Sequence, residues 1–161
     1  MTDIEWSQEL KLGVPAMDAE HRRLLALTND FLKAAGADAP PERLGRILGE
    51  LIARTRIHFQ AEETLLDRAG YPGLAGHRAA HERLLVDAQR LYERFTAPPA
   101  QRGHDGESAQ PGHVGESAQP GHDGESARGL ALEAAGFLQR WLVDHIVSED
   151  RAYRPFVMRL T

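Results

Sequence analysis

The chain contains no cysteine, which excludes disulfide staples, thiolate metal sites and cysteine nucleophiles. Any metal ion held here must be bound by nitrogen and oxygen. No uninterrupted apolar run approaches the roughly 20 residues that a bilayer-spanning helix needs. The opening stretch Met1 to Trp6 carries Asp3 and Glu5 and lacks an apolar core, so it does not read as a secretory signal and a cytoplasmic protein is expected. A basic excess is missing too. The net charge is -5, which leaves no electrostatic footprint for nucleic acid. There is no glycine-rich phosphate loop, and the His-Glu-x-x-His pattern of zinc proteases is absent because His81-Glu82 runs into Arg83, Leu84 and Leu85.

What remains is a chain of 161 residues, 42% hydrophobic and 27% charged. That length and composition suit one globular domain able to bury a core without staples. Residues 1–16 read as an irregular arm, with Ile4, Trp6, Leu10, Leu12 and Val14 packing on the outside of the helical segments. A first helix is expected from near Asp18, a good cap residue, to near Gly36, with His21, Leu24, Leu25, Thr28, Phe31 and Leu32 at 3–4 spacing. Pro40-Pro41 opens a second helix. Its stripe of Leu44, Leu48, Leu51, Thr55, His58, Glu62 and Leu65 alternates steps of 4 and 3, a coiled-coil seam with a histidine and a glutamate written into it.

Gly70-Tyr71-Pro72-Gly73 forms a turn. The third stripe, Leu74, His77, His81, Leu84, Ala88, Leu91 and Phe95, ends before Pro98-Pro99. A fourth helix resumes around Ser126 to Arg128 and carries Leu138, Trp141, Leu142, His145 and Ile146, with Pro155 ending or kinking it. The expected fold is therefore all-α: an up-down-up-down four-helix bundle with an irregular N-terminal arm.

Seven candidate ligands lie on these stripes: His21, His58, Glu62, His77, His81, His145 and Asp150. Pairs such as His58/Glu62 and His77/His81 are four residues apart, on one helix face one turn apart. Ligands fall near the start of the odd helices and toward the end of the even ones. In an alternating bundle those places share one end, so all seven converge. One ion needs fewer ligands than this. Two metals sharing the carboxylates are expected, and mixed imidazole and carboxylate ligation suits iron, with manganese or zinc as competitors. No Glu-x-x-His occurs, so the ligand pattern of ferritin-like carboxylate proteins is excluded. Periodicity leaves one choice open between Glu149 and Asp150, four and five residues after His145. Glu63, beside Glu62, reads as a solvated surface residue. Tyr153 can hydrogen-bond near the site or simply pack.

Residues 103–127 are a tandem nine-residue repeat of the type Gly-His-Asp-Gly-Glu-Ser-Ala-Gln-Pro and carry the whole of the net charge. With almost no apolar content, a mobile acidic loop is expected. His104, His113 and His122 could bind a divalent metal weakly, though a solvated low-complexity expansion is the favoured reading. The loop leaves from the end opposite the ligands and should be dispensable for their chemistry. The chain is thus expected to form a single domain over 1–161, with the arm at 1–16 and the repeat loop at 97–127.

The combination resembles bacterial hemerythrins. The match rests on Met17-Asp18-Ala19-Glu20-His21, His58-Phe59-Gln60-Ala61-Glu62-Glu63, Gly70-Tyr71-Pro72, His77-x-x-x-His81, and Trp141-Leu142-Val143-Asp144-His145 followed by Asp150. It covers the chain apart from the repeat. The resemblance implies two iron ions (Fe2+/Fe3+) with a bridging oxo or hydroxo group. His77, His81 and His145 would bind one iron, His21 and His58 the other, and Glu62 and Asp150 would bridge both. It also selects Asp150 over Glu149, through a local distortion of the helix.

The implied activity is reversible dioxygen binding for storage, delivery or buffering, without enzymatic turnover. It calls for a dry pocket free of protein acids, here expected from Leu24, Phe59, Trp141, Leu142 and Ile146. The implied partners are dioxygen and an unidentified protein acceptor of oxygen, with the chain itself a monomer or weak homo-oligomer. Alternatives are an oxygen or redox sensor acting through a separate partner, or a di-iron peroxidase or oxidase with a more open pocket.

Overall fold

The computed structural model describes residues 3–97 and 122–160, the side chains of 122–126 excepted. The remainder of the 103–127 repeat, with His104 and His113, lies outside the described residues. Among the described residues there are helices and no strands: α1 (Pro15–Gly36), α2 (Pro41–Arg68), α3 (Leu74–Thr96) and α4 (His122–Asp144), then a π-helical turn over His145–Asp150 and a short α5 (Arg151–Val157). The all-α four-helix bundle expected from the stripes is what forms. α1 packs against α2 and α4, and α2 packs against α3 as well. An open groove of about 420 Å³ runs along the seam between α3 and α4, lined in part by Arg83, Phe137, Arg140 and Trp141.

The helix ends follow from local chemistry. Pro15 and Pro41 sit in the first turns of α1 and α2, where their missing N–H is no loss. α1 therefore starts three residues before Asp18. The Asp18 carboxylate instead turns back to accept the backbone N–H groups of Leu12 and Gly13, at 2.8 and 3.0 Å. α2 closes with a Schellman arrangement: Tyr71 N–H donates to Leu66 C=O and Gly70 N–H to Asp67 C=O. Gly70 supplies the left-handed φ of +63° that this needs. α1 ends in the same way with Asp38, at φ +51°, in the left-handed place, so Gly36 is its last helical residue and not its cap. α3 stops at Thr96 because Ala97, extended at φ -60° and ψ 143°, precedes a proline.

Four other expectations shift. α4 begins at His122, ahead of Ser126. Pro155 does not end the last helix, since α5 continues to Val157 around it. On α2 it is Leu66 that is fully buried, while Leu65 only packs at the edge. A straight α-helix drifts relative to a strict 3.5-residue repeat, and by the last turn the stripe has moved one position. The arm is also more than a covering layer. Leu12 and Val14 are buried with Met17, Leu66, Tyr153 and Val157 in a small second core, and Arg154 Nε donates to the Leu12 carbonyl at 2.5 Å. The main core holds Phe31, Leu32, Leu44, Leu48, Leu51, Phe95 and Leu138.

Candidate metal centre

Each of the seven side chains singled out by spacing is buried, and all converge at one end of the bundle. They form two overlapping groups whose ligand atoms lie within 4.8 Å of one another: Glu62, His77, His81, His145 and Asp150, and then His21, His58, Glu62 and Asp150. Glu62 and Asp150 belong to both. The five imidazoles turn Nε2 toward the common centre. His21 and His58 meet Nε2 to Nε2 at 3.1 Å, as do His81 and His145. Glu62 Oε2 lies 3.0 Å from His77 Nε2 and 3.1 Å from His81 Nε2. Asp150 Oδ1 is 3.1 Å from His145 Nε2, and its Oδ2 is 3.2 Å from His21 Nε2.

These contacts are close, yet neither Asp150 oxygen accepts a hydrogen bond of good geometry. Glu62 and Asp150 are both 0% exposed. Burying an ionised carboxylate costs several kcal/mol unless it is paired, and neutral imidazoles give only partial pairing. Donor atoms crowded around a shared centre, facing it more than they face each other, fit a cation better than a hydrogen-bond network. The donor set of imidazole nitrogen and carboxylate oxygen suits iron, manganese or zinc.

The π-helical turn explains how Asp150 enters. In an ordinary α-helix, a residue five positions after His145 would point away from it. The wider turn over His145–Asp150 returns Asp150 to the inner face, while Glu149 is exposed. Single-turn widening of this kind is a recurrent feature of functional sites.

Electrostatics tune the groups in different directions. Burial pushes the Glu62 carboxyl up, but the His77 and His81 rings against it and the Tyr153 hydroxyl hold it well below the usual carboxylate range. For Asp150, burial and the neighbouring Glu62 push upward, and His145 and His21 overcome them. Burial lowers His58 to about 4, which keeps its ring neutral with a lone pair available. His145 is also pulled down by burial, but the close Asp150 carboxylate and the other carboxylates nearby leave it raised. Tyr153 donates its hydroxyl to Glu62 Oε1 at 2.5 Å. Burial and then the charge of Glu62 push that phenol far above its ordinary value, so it keeps its proton.

A small cavity of about 10 Å³ adjoins the cluster, lined by Leu24, Phe59, Trp141, Leu142 and Ile146 together with His21, His58 and His145. Every apolar residue singled out for the pocket is on its wall. The space is of the order that holds one very small molecule.

Spacing misreads one residue. Glu63 is not simply solvated: its Oε1 lies 2.8 Å from His81 Nδ1, and its Oε2 accepts from Arg78 Nε at 3.2 Å. Helical periodicity places it off the inward stripe. The signal that could have found it is the short α2–α3 turn, which brings residues just after Glu62 against the first turns of α3.

Fold and site together define a four-helix bundle with one end lined by buried groups that could hold a metal ion. The comparisons with known proteins carry this further: the chain belongs to the hemerythrin family, since residues 12–157 match the family model described as the hemerythrin HHE cation binding domain. It is 28% identical to the bacteriohemerythrin of Stenotrophomonas maltophilia over 153 residues, 95% of this chain and 80% of that one. It is 25% identical to the bacteriohemerythrin of Methylococcus capsulatus over 147 residues, 91% of this chain and 90% of that protein. A crystal structure of wild-type hemerythrin shares the fold with a TM-score of 0.71 at 23% identity, covering 97% of this chain and 98% of that one. Among the described residues, no helix is long and apolar enough to cross a membrane.

Proposed function

We propose that this chain binds dioxygen reversibly at a pair of iron ions held by His21, His58, Glu62, His77, His81, His145 and Asp150. The observation that carries the reading is the pair of overlapping ligand groups sharing two buried carboxylates beside a small, mostly apolar cavity. His77, His81 and His145 would hold one ion, and His21 and His58 the other; His21, His58 and His145 line the cavity. An iron pair supplies the two electrons that dioxygen takes up on binding and returns on leaving.

The protein's own work is positioning and exclusion. Glu62 and Asp150 fix the spacing of the two ions. Leu24, Phe59, Trp141, Leu142 and Ile146 keep water and acids from the cavity, where a second proton would convert reversible binding into irreversible oxidation. Tyr153 is the nearest phenol, and it does not line the cavity. Its proton is committed to Glu62, so it orients that bridge without serving as an acid. Such a site binds and releases without turnover, for storage, delivery or buffering, with a protein acceptor of oxygen downstream. The chain works as one domain, and the repeat joins helix ends remote from the ligands.

The test begins with metal content. Reconstituted wild type should hold two irons per chain. Asp150→Asn should lose at least one equivalent, and Glu149→Gln should keep both. Excising residues 103–121 should also leave two. Retention of both irons in Asp150→Asn together with loss in Glu149→Gln would overturn the assignment.

A further inference from the structure

His81 is the only ring of the cluster bracketed by two consecutive carboxylates. Glu62 Oε2 lies 3.1 Å from its Nε2 on the inner side, and Glu63 Oε1 lies 2.8 Å from its Nδ1 on the outer side. Phe59 stacks on the ring face, with centroids 3.5 Å apart and planes 4° from parallel. The ring is therefore held on its face and at both nitrogens. The contrast with its neighbours is sharp. The outward Nδ1 atoms of His21, His58 and His77 are buried without a hydrogen-bond partner.

Glu63 is itself held. Its second oxygen accepts from Arg78 Nε, one turn before His81 on α3. The side chain of Glu63 is 25% exposed and that of Arg78 is 49% exposed. A line of contacts thus runs from solvent through a guanidinium, a carboxylate and an imidazole to the centre of the cluster.

We infer that Glu63 is a positioning residue for the metal centre. It fixes His81 with the proton on Nδ1 and the lone pair on Nε2, and it makes the ion bound by His77, His81 and His145 the more firmly held of the two. The inference rests on the metal-binding reading above. Its physical basis is general: a carboxylate accepting from the far nitrogen of a ligating imidazole sets the tautomer and ring orientation and raises the ligand's basicity, and its loss typically weakens metal binding about 10–100-fold. Glu63 meets one imidazole of five, so its effect should fall on one ion of two. Arg78 orders the carboxylate from the solvent side and is the lesser contributor.

The test uses the full chain loaded with zinc, so that neither oxygen nor redox state enters. The release of each zinc equivalent to a chromophoric chelator is followed in wild type, Glu63→Ala, Glu63→Gln and Arg78→Ala. Nitrogen-15 NMR reads the His81 tautomer in the same samples. In Glu63→Ala, one equivalent should leave about 10–100-fold faster and the other at the wild-type rate, with the His81 tautomer no longer uniform. Glu63→Gln keeps an acceptor oxygen without the charge. It should restore the tautomer and recover most of the retention, a rescue that a merely structural role would not produce. Arg78→Ala should change release by only a few-fold.

Wild-type release of both equivalents from Glu63→Ala, with an unchanged His81 tautomer, would overturn this inference alone. Equal acceleration of both equivalents would do the same, because it would mean general loosening of the bundle. Failure of the wild type to hold two zinc ions would overturn the metal-binding reading, and this inference with it.

Discussion

The two ends of the bundle are built from the same helices but rest on opposite physics. At one end Phe31, Leu44, Leu48 and Phe95 are buried with no charged group among them, and the rings of Phe31 and Phe95 meet edge to face at 5.9 Å. At the other end, about three to five turns along the same stripes, two carboxylates and five imidazoles are also buried. The apolar end is stabilised by removal of hydrocarbon from water, about 25 cal/mol per Å². The polar end cannot be, because each buried carboxylate opposes folding unless a cation offsets it. A continuous helical seam can thus carry a site as long as the rest of the seam supplies the folding free energy.

Substitutions should separate the two ends. The largest effect is expected from Phe95→Ala, which should lower unfolding free energy by about 4 kcal/mol in denaturant titrations. Metal content should be unchanged. Leu142→Ala, on the cavity wall, should cost about 3 kcal/mol. It should also admit water, so that iron-loaded protein in air converts to the inert ferric form faster than wild type. An unchanged conversion rate would remove Leu142 as a gate.

Stripping the metal with a chelator comes next. With free metal at 100 times its dissociation constant, bound metal should contribute about 2.7 kcal/mol, which chelation removes. A plain structural bundle would show no change.

The smallest effect lies at the far end, on the surface. Arg94 makes paired hydrogen bonds to Glu133 at 2.7 and 2.8 Å, and these hold the Glu133 carboxyl below its ordinary value. A lowered folded-state value means the contribution is present above the ordinary carboxylate range and is lost as pH falls through the lowered value. Both side chains are about half exposed. Glu133→Gln should therefore cost only about 0.5 kcal/mol at neutral pH, and the two proteins should converge in stability on acidification.

Most of the bundle was legible because helix stripes are a direct imprint of burial. The 4-and-3 steps from Leu44 to Glu62 and from His77 to Phe95 place most of the buried residues of α2 and α3, but not the flanking Gly45, Ile52, Phe59, Leu66 and Ala80. The convergence of the seven candidate residues was legible because alternating helix direction forces those stripes to meet at one end. Asp150 was not legible from period alone, since a π-helical turn changes the count per turn without marking the sequence. Glu63 was hidden for a related reason: its partner His81 lies on another helix, so no spacing within α2 points to it. Leu12 is pinned both by Asp18, six residues on, and by Arg154, 142 residues away, and the second of these contacts leaves no local mark in the sequence.

The most direct test of the central claim is the visible spectrum of iron-loaded, reduced protein taken under argon, then in air, then under argon again. A new absorption band that rises in air and vanishes when oxygen is removed, through repeated cycles, is the expected result. Immediate and permanent conversion to the ferric spectrum on first exposure to air would contradict it.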